Sequence, residues 1–143
     1  MAIKVSREHL DQIRRHGEKT YPYECCGFLL GTREGDTNVL AEVHGAENER
    51  QESRETRYLI TPEQYKRADD YARTLGLGII GYYHSHPDHP AEPSRYDLDH
   101  SCWPGESYII VAVEQGKSAA LNSFTKPDYT SFEQEEIRIE AAS

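Results

Sequence analysis

The spacing of apolar positions changes several times along the chain, and each change marks an element. Leu10 and Ile13 follow Ser6 at helical spacing, with Ser6 placed to cap and Glu8 in the first turn. This helix ends near Gly17 or Lys19, ahead of the break at Tyr21-Pro22. Cys26 to Leu30 is a short apolar run closed by Gly31, which predicts a strand, and Val39 to Val43 reads as its partner across a turn containing Gly35. Residues 46–57 are charged and aperiodic and predict an exposed loop, followed by a short strand over Tyr58 to Ile60. Thr61-Pro62-Glu63-Gln64 then supplies a cap, a proline at the first helical position and a glutamine able to reach back to the cap amide. Tyr65, Ala68, Ala72 and Leu75 continue at helical spacing as far as Gly76.

Gly78 to His86 is apolar almost throughout, too short and too rich in β-formers for a helix, and predicts a buried central strand. Tyr108 to Val113 predicts another, paired with Ala119 to Phe124 through a turn at Gly116. Ile137 and Ile139 alternate with charges, as in a last edge strand or a helix end. The order α-β-β-β-α-β-loop-β-β gives an α/β fold, a mixed sheet with helices on its faces. The 143 residues contain no repeat or linker and fit one domain over residues 1–143.

Composition narrows the function classes. With 36% hydrophobic and 29% charged residues the chain is globular, and its net charge of -9 excludes a basic nucleic-acid footprint. The same charge argues against an anionic membrane surface and leaves room for a bound cation. No apolar signal region opens the chain and no stretch approaches a membrane span, so a cytoplasmic protein is expected. Cys25, Cys26 and Cys102 are odd in number, and two are adjacent, which does not make a disulfide framework. Buried or partly buried free thiols are expected. Zinc ligation by the adjacent pair would depart from the usual spacing of two to four residues.

The chemistry concentrates in residues 84–97, His-Ser-His-Pro-Asp-His-Pro-Ala-Glu-Pro-Ser-Arg-Tyr-Asp. Residues i and i+2 of a strand share a face, so His84 and His86 project together and can converge on one ion at roughly 2.0–2.1 Å. They stand at the C-terminal end of their strand, where ligand sites in α/β sheets form. Pro87, Pro90 and Pro93 restrict the following loop. Asp97 is suggested as a third ligand, leaving one position open for water or substrate. Ser94 and Asp97 also have the make-up of a capping box, so they could merely cap each other, or Ser94 could cap and face the metal at once. A second pattern overlaps the first. His84-Ser85-His86-Pro87-Asp88-His89 is similar to the His-x-His-x-Asp-His of metallo-β-lactamase-like hydrolases, in which Asp88 and His89 would hold a second metal. Only His100 remains downstream to complete such a site.

Together with Glu24 these positions resemble the JAMM (MPN+) metallopeptidase family. Its signature is an early glutamate, then His-Ser/Thr-His-Pro, with seven residues in all (the proline included) between the second histidine and a Ser, then two residues and Asp. Here these are Glu24, His84-Ser85-His86-Pro87, Ser94 and Asp97, and Tyr21-Pro22-Tyr23-Glu24-Cys25-Cys26-Gly27-Phe28-Leu29-Leu30-Gly31 looks like the glutamate-bearing segment. Taken alone, Glu24 reads as a surface carboxylate after a tight turn. The resemblance implies a mixed, curved β-sheet flanked by helices, the MPN (cytidine-deaminase-like) domain of a compact prokaryotic member. It implies one Zn²⁺ held by His84, His86 and Asp97, with Glu24 as the group that takes the proton of a water and Ser94 steadying the oxyanion. It implies a peptidase or isopeptidase acting after the C-terminal Gly-Gly of a ubiquitin-like protein, here expected to be a sulfur-carrier protein. An extended Gly-Gly tail would add to a sheet edge near the zinc. A non-catalytic binding scaffold of the same fold is the competing expectation.

Overall fold

In the computed structural model, residues 2–48, 50, 58, 60–95, 97, 106–127 and 131–140 are described. Strand β1 (Ala2–Ser6) leads directly into helix α1 (Arg7–Thr20), and the antiparallel pair β2 (Cys26–Glu34) and β3 (Thr37–Ala46) follows. Helix α2 (Pro62–Thr74), strand β4 (Gly78–Pro87) and the strands β5 (Ser107–Glu114), β6 (Lys117–Thr125) and β7 (Glu133–Glu140) complete the order.

The capping chemistry forms as the side chains dictate. Ser6 caps α1, accepting from the His9 amide while the His9 ring accepts from the Ser6 amide. Thr61 caps α2, and Gln64 returns a carbonyl to the Thr61 amide at 2.8 Å. Gly76, at φ 73, ends α2 with the Leu77 amide donating to Ala72 and the Gly76 amide to Arg73, the paired closure that a left-handed glycine permits.

The strands run β1-β3-β2-β4-β5-β6-β7 and close into a barrel, with β1 parallel to both β3 and β7 and β4 parallel to β5. The sheet is therefore mixed, as the element order predicts, but it is closed rather than open. Closure depends on β1, where Ile3 and Val5 are buried, and on β7, which is bonded on both sides and is not an edge. Gly31 does not end β2. It sits at a register shift where a Cβ would lie 1.9 Å from the Val39 carbonyl oxygen, so only glycine admits the close approach. Tyr58 and Ile60 lie outside any strand, correcting the expectation there.

Two apolar layers follow from the period of two. Leu29, Tyr83, Ile109, Val111 and Val113 point to one face and pack with Ile13 and Leu10 of α1. Phe28, Leu30 and Tyr82 point to the other and pack with Ala68 and Ala72 of α2. Farther along that second face, Ile110, Ala112 and Phe124 meet Ala91 and Phe132. Among the described residues no helix is long and apolar enough to cross a membrane. Cys25 and Cys26 are buried thiols outside any disulfide, as expected, whereas Cys102, His100 and most of the 46–57 loop lie outside the described residues.

Candidate metal centre

Strand β4 carries His84 and His86 toward the face that holds Ile110 and Ala112, and both imidazoles are buried. Their Nε2 atoms stand 3.1 Å apart. Asp97 Oδ2 lies 3.2 Å from His84 Nε2 and 3.1 Å from His86 Nε2. The three atoms thus form a nearly equilateral triangle. Donors around a tetrahedral ion at roughly 2.0–2.1 Å would be about 3.3–3.4 Å apart, so the triangle matches one zinc-sized ion to within a few tenths of an ångström.

Hydrogen-bond accounting points the same way. The Pro90 carbonyl oxygen, 2.8 Å from His86 Nδ1, can only accept, so Nδ1 carries the proton of the neutral ring. His86 Nε2 then presents a lone pair to a carboxylate oxygen and to a second imidazole nitrogen. At most one proton, on His84, is available among three acceptor atoms, a deficit that a cation removes. Burial lowers the His84 pKa more than Asp97 raises it, which favours the neutral, ligating ring. Burial works against ionised Asp97, but His84, His86 and the Ser94 amide outweigh it and hold the carboxyl well below the usual carboxylate range.

Ser94 and Asp97 form the reciprocal cap. The Ser94 amide donates to Asp97 Oδ2 at 2.8 Å and the Asp97 amide donates to Ser94 Oγ at 3.0 Å. The cap and the metal-site readings coincide, because the same Oδ2 faces both histidines. Ser94 Oγ accepts in this cap, so its hydroxyl proton remains available as a donor. Ser94 also lines a cleft of about 350 Å³ with Glu24, His86, His89 and Glu92.

Glu24 reaches the cluster from the start of β2. Cys26 pairs with His84 across the β2–β4 ladder, and the ladder is extended by a Ser85 amide bond to the Cys25 carbonyl. The return bond comes from a side chain, since the Cys25 amide donates to Ser85 Oγ at 2.8 Å. Asn48 Nδ2 holds the Glu24 carbonyl at 3.2 Å. Glu24 is not a surface carboxylate. It is 3% exposed, its Oε1 is buried with no hydrogen-bond partner among the described residues, and it offers an oxygen within 4.8 Å of ligand atoms of both histidines. Desolvation first, and then the charge on Asp97, push its pKa up to about 9. Both histidines thus face two carboxylates, Asp97 Oδ2 at 3.1–3.2 Å and a Glu24 oxygen within 4.8 Å.

Asp88 does not join the cluster. Its carboxylate accepts from the Tyr21 hydroxyl at 2.5 Å and from the Gln115 amide at 2.8 Å. The two-metal pattern therefore loses one of its ligands, because Asp88 is held at the β5–β6 turn. Tyr58 enters the site unforeseen, its ring stacked on His84 with centroids 4.7 Å apart. A lone tyrosine after a charged run carries no sequence signal of such stacking.

A closed mixed sheet with a His-x-His strand end, a capping aspartate and a buried glutamate defines a hydrolase of the JAMM type. The family of prokaryotic homologs of the JAB domain matches residues 6–125, and the chain belongs to that family. It is 33% identical over 116 residues to the desampylase of Haloferax volcanii, covering 78% of this chain and 81% of the relative. It is 32% identical over 115 residues to a probable TtuB-protein conjugate cleaving protease of Thermus thermophilus, covering 80% and 72%. A solution structure from Salinibacter ruber superposes with a TM-score of 0.76 at 45% identity, over 98% of this chain and 92% of that one. A JAB1/MPN domain protein from Archaeoglobus fulgidus, at 20% identity and a TM-score of 0.59 over 96% and 99% of the two chains, shares the fold.

Proposed function

We propose that the protein is a zinc-dependent isopeptidase and peptidase that hydrolyses the amide bond after the C-terminal Gly-Gly of a ubiquitin-like protein, a sulfur-carrier type in particular. The observation that carries this reading is the 3.1–3.2 Å triangle of His84, His86 and Asp97 beside a buried Glu24 oxygen that has no partner among the described residues. The two curated relatives support the substrate class, since one is a desampylase and the other a probable TtuB-conjugate cleaving protease.

His84, His86 and Asp97 would hold the zinc. Bound there, it would polarise the scissile carbonyl, bring the pKa of a water down toward about 7, and favour the ionised form of Glu24. Glu24 takes the proton of the attacking water and delivers it to the leaving amine, a task suited to a carboxyl whose pKa rests well above its ordinary value. The Ser94 hydroxyl, already fixed through its acceptor side by the Asp97 amide, donates to the oxyanion. The Pro90 carbonyl keeps His86 in the tautomer that leaves Nε2 free. Burial of all three ligands and Glu24 keeps bulk water from competing for these interactions.

The test incubates zinc-loaded protein with a panel of ubiquitin-like carriers extended or conjugated beyond Gly-Gly and reads the products by mass spectrometry. Cleavage immediately after Gly-Gly, lost on chelation and restored by one zinc per chain, is the expected result. Intact substrates across the panel at full zinc occupancy would refute the reading.

A further inference from the structure

We infer that Asp88 is a positioning residue of the metal centre, acting on His86 through the Pro90 carbonyl. The inference rests on His86 being a metal ligand. Asp88 follows β4 directly and has φ 55, a left-handed conformation that glycine adopts more easily than an aspartate. An aspartate there calls for a side-chain reason, and its surroundings supply one. Its carboxylate takes the Tyr21 hydroxyl on one oxygen and the Gln115 amide on the other, while its own amide donates to the Val113 carbonyl at 2.7 Å. The residue therefore ties the segment after α1, the exit of β4 and the β5–β6 turn at one point.

Two residues later the same loop presents the Pro90 carbonyl to His86 Nδ1. The far side of the loop is held as well, because Asn122 Nδ2 donates to the Ala91 carbonyl at 3.0 Å. Asp88 and Asn122 are thus two anchors on either side of the one carbonyl that sets the His86 tautomer. If the Asp88 anchor is released, Pro90 can leave Nδ1. The proton can then move to Nε2, where it bonds Asp97 and blocks the ligand position. Groups that orient a ligating histidine typically change metal affinity by about 10–100-fold.

The experiment compares wild type with Asp88→Gly, Asp88→Asn and Tyr21→Phe. Zinc affinity is measured by chelator competition. The His86 tautomer is read in the metal-free protein from two-bond nitrogen–proton correlations of the ring. Asp88→Gly keeps the left-handed turn and removes the carboxylate, so a purely conformational role predicts no loss. The expected result is zinc binding weakened about 10–100-fold in Asp88→Gly, with His86 moving from a single Nδ1–H form to a tautomer mixture. Asp88→Asn retains one acceptor and should fall between, and Tyr21→Phe should shift both readouts in the same direction by less. Unchanged affinity and tautomer in Asp88→Asn and Tyr21→Phe would overturn the proposal even if Asp88→Gly failed to fold. So would weakened binding with an unchanged tautomer. Wild-type protein that takes up no zinc would overturn the metal-site reading and this proposal with it. Normal zinc uptake with no effect of the variants would overturn only the role of Asp88.

Discussion

The parallel pair β4–β5 has a buried carboxylate at each end, and the two are treated differently. At the end where Gly81 pairs with Ser107, Glu135 Oε1 accepts from Ser107 at 2.6 Å and from Ser123 at 2.9 Å. Asn38 Nδ2 completes the chain by donating to the Ser107 hydroxyl at 2.8 Å. Burial raises the Glu135 pKa, but both serine bonds pull it back. At the end where His86 pairs with Ala112, no hydroxyl reaches Glu24 Oε1 among the described residues, and the carboxyl rises to about 9. Each acid keeps one buried oxygen without a partner among the described residues, but Glu135 holds two serine hydroxyls on its other oxygen, whereas Glu24 stands beside a place where a cation and a water can supply partners.

That contrast can be broken by mutation, and the largest effect is expected at the Glu24 end. Glu24→Gln keeps the shape of the side chain but removes the proton carrier, so turnover should fall by about 10²–10⁴ while one zinc per chain is retained. Conjugate cleavage rates and bound-metal analysis check it, and comparable turnover in the variant would remove Glu24 from its role. At the Glu135 end the loss should be of stability alone. Ser107→Ala takes one hydrogen bond from each of Asn38 and Glu135, which costs about 1–3 kcal/mol and lowers the melting temperature by several degrees, with turnover per folded molecule unchanged.

The pH dependence separates the two ends further. Glu24 has a folded value of about 9 against an ordinary 4.5. Its contribution to stability is therefore fully present below about 4.5 and is lost as pH rises through about 9. Glutamine does not ionise. In chelated protein the Glu24→Gln variant should melt close to wild type at pH 5 and above it by a widening margin toward pH 9, more than ~1 kcal/mol by pH 8. The difference between the two chains cancels Glu106, which burial raises to about 7 in both. A margin that stays flat with pH would show that Glu24 is not the strained group. The smallest effect belongs to the link between Glu24 and the histidine strand. Ser85→Ala removes the hydroxyl that receives the Cys25 amide and should lower kcat about threefold to tenfold with KM unchanged.

Much of the site was legible in the sequence because its grammar is local. His84 and His86 share a face by strand periodicity alone, and Ser94 and Asp97 lie three apart, as a cap requires. The elements bearing them were legible for the same reason: Thr61 to Gln64 opens α2 and Gly116 turns β5 into β6, as the side chains demand. What escaped is non-local. Ile3 and Val5 alternate correctly, yet β1 is short, and both of its neighbours lie far away in sequence. Residues 137 and 139 left strand and helix end undecided, and the pairing of β7 with β1 decides it. Glu24 gave no sign of burial, since that depends on β4 lying beside β2. Asp88 fitted the alternative two-metal pattern by its neighbours in sequence, and Tyr21 and Gln115, distant in sequence, claim it instead.

The seam between β1 and β7 has a consequence for how the chain comes together. Residues 2–6 meet residues 136–140 as direct neighbours, so β1 waits until β7 has been made before its second flank is covered. Synthesis halted between residues 125 and 133 would leave β1 and β6 each with a bare flank, an invitation to pair with another nascent copy.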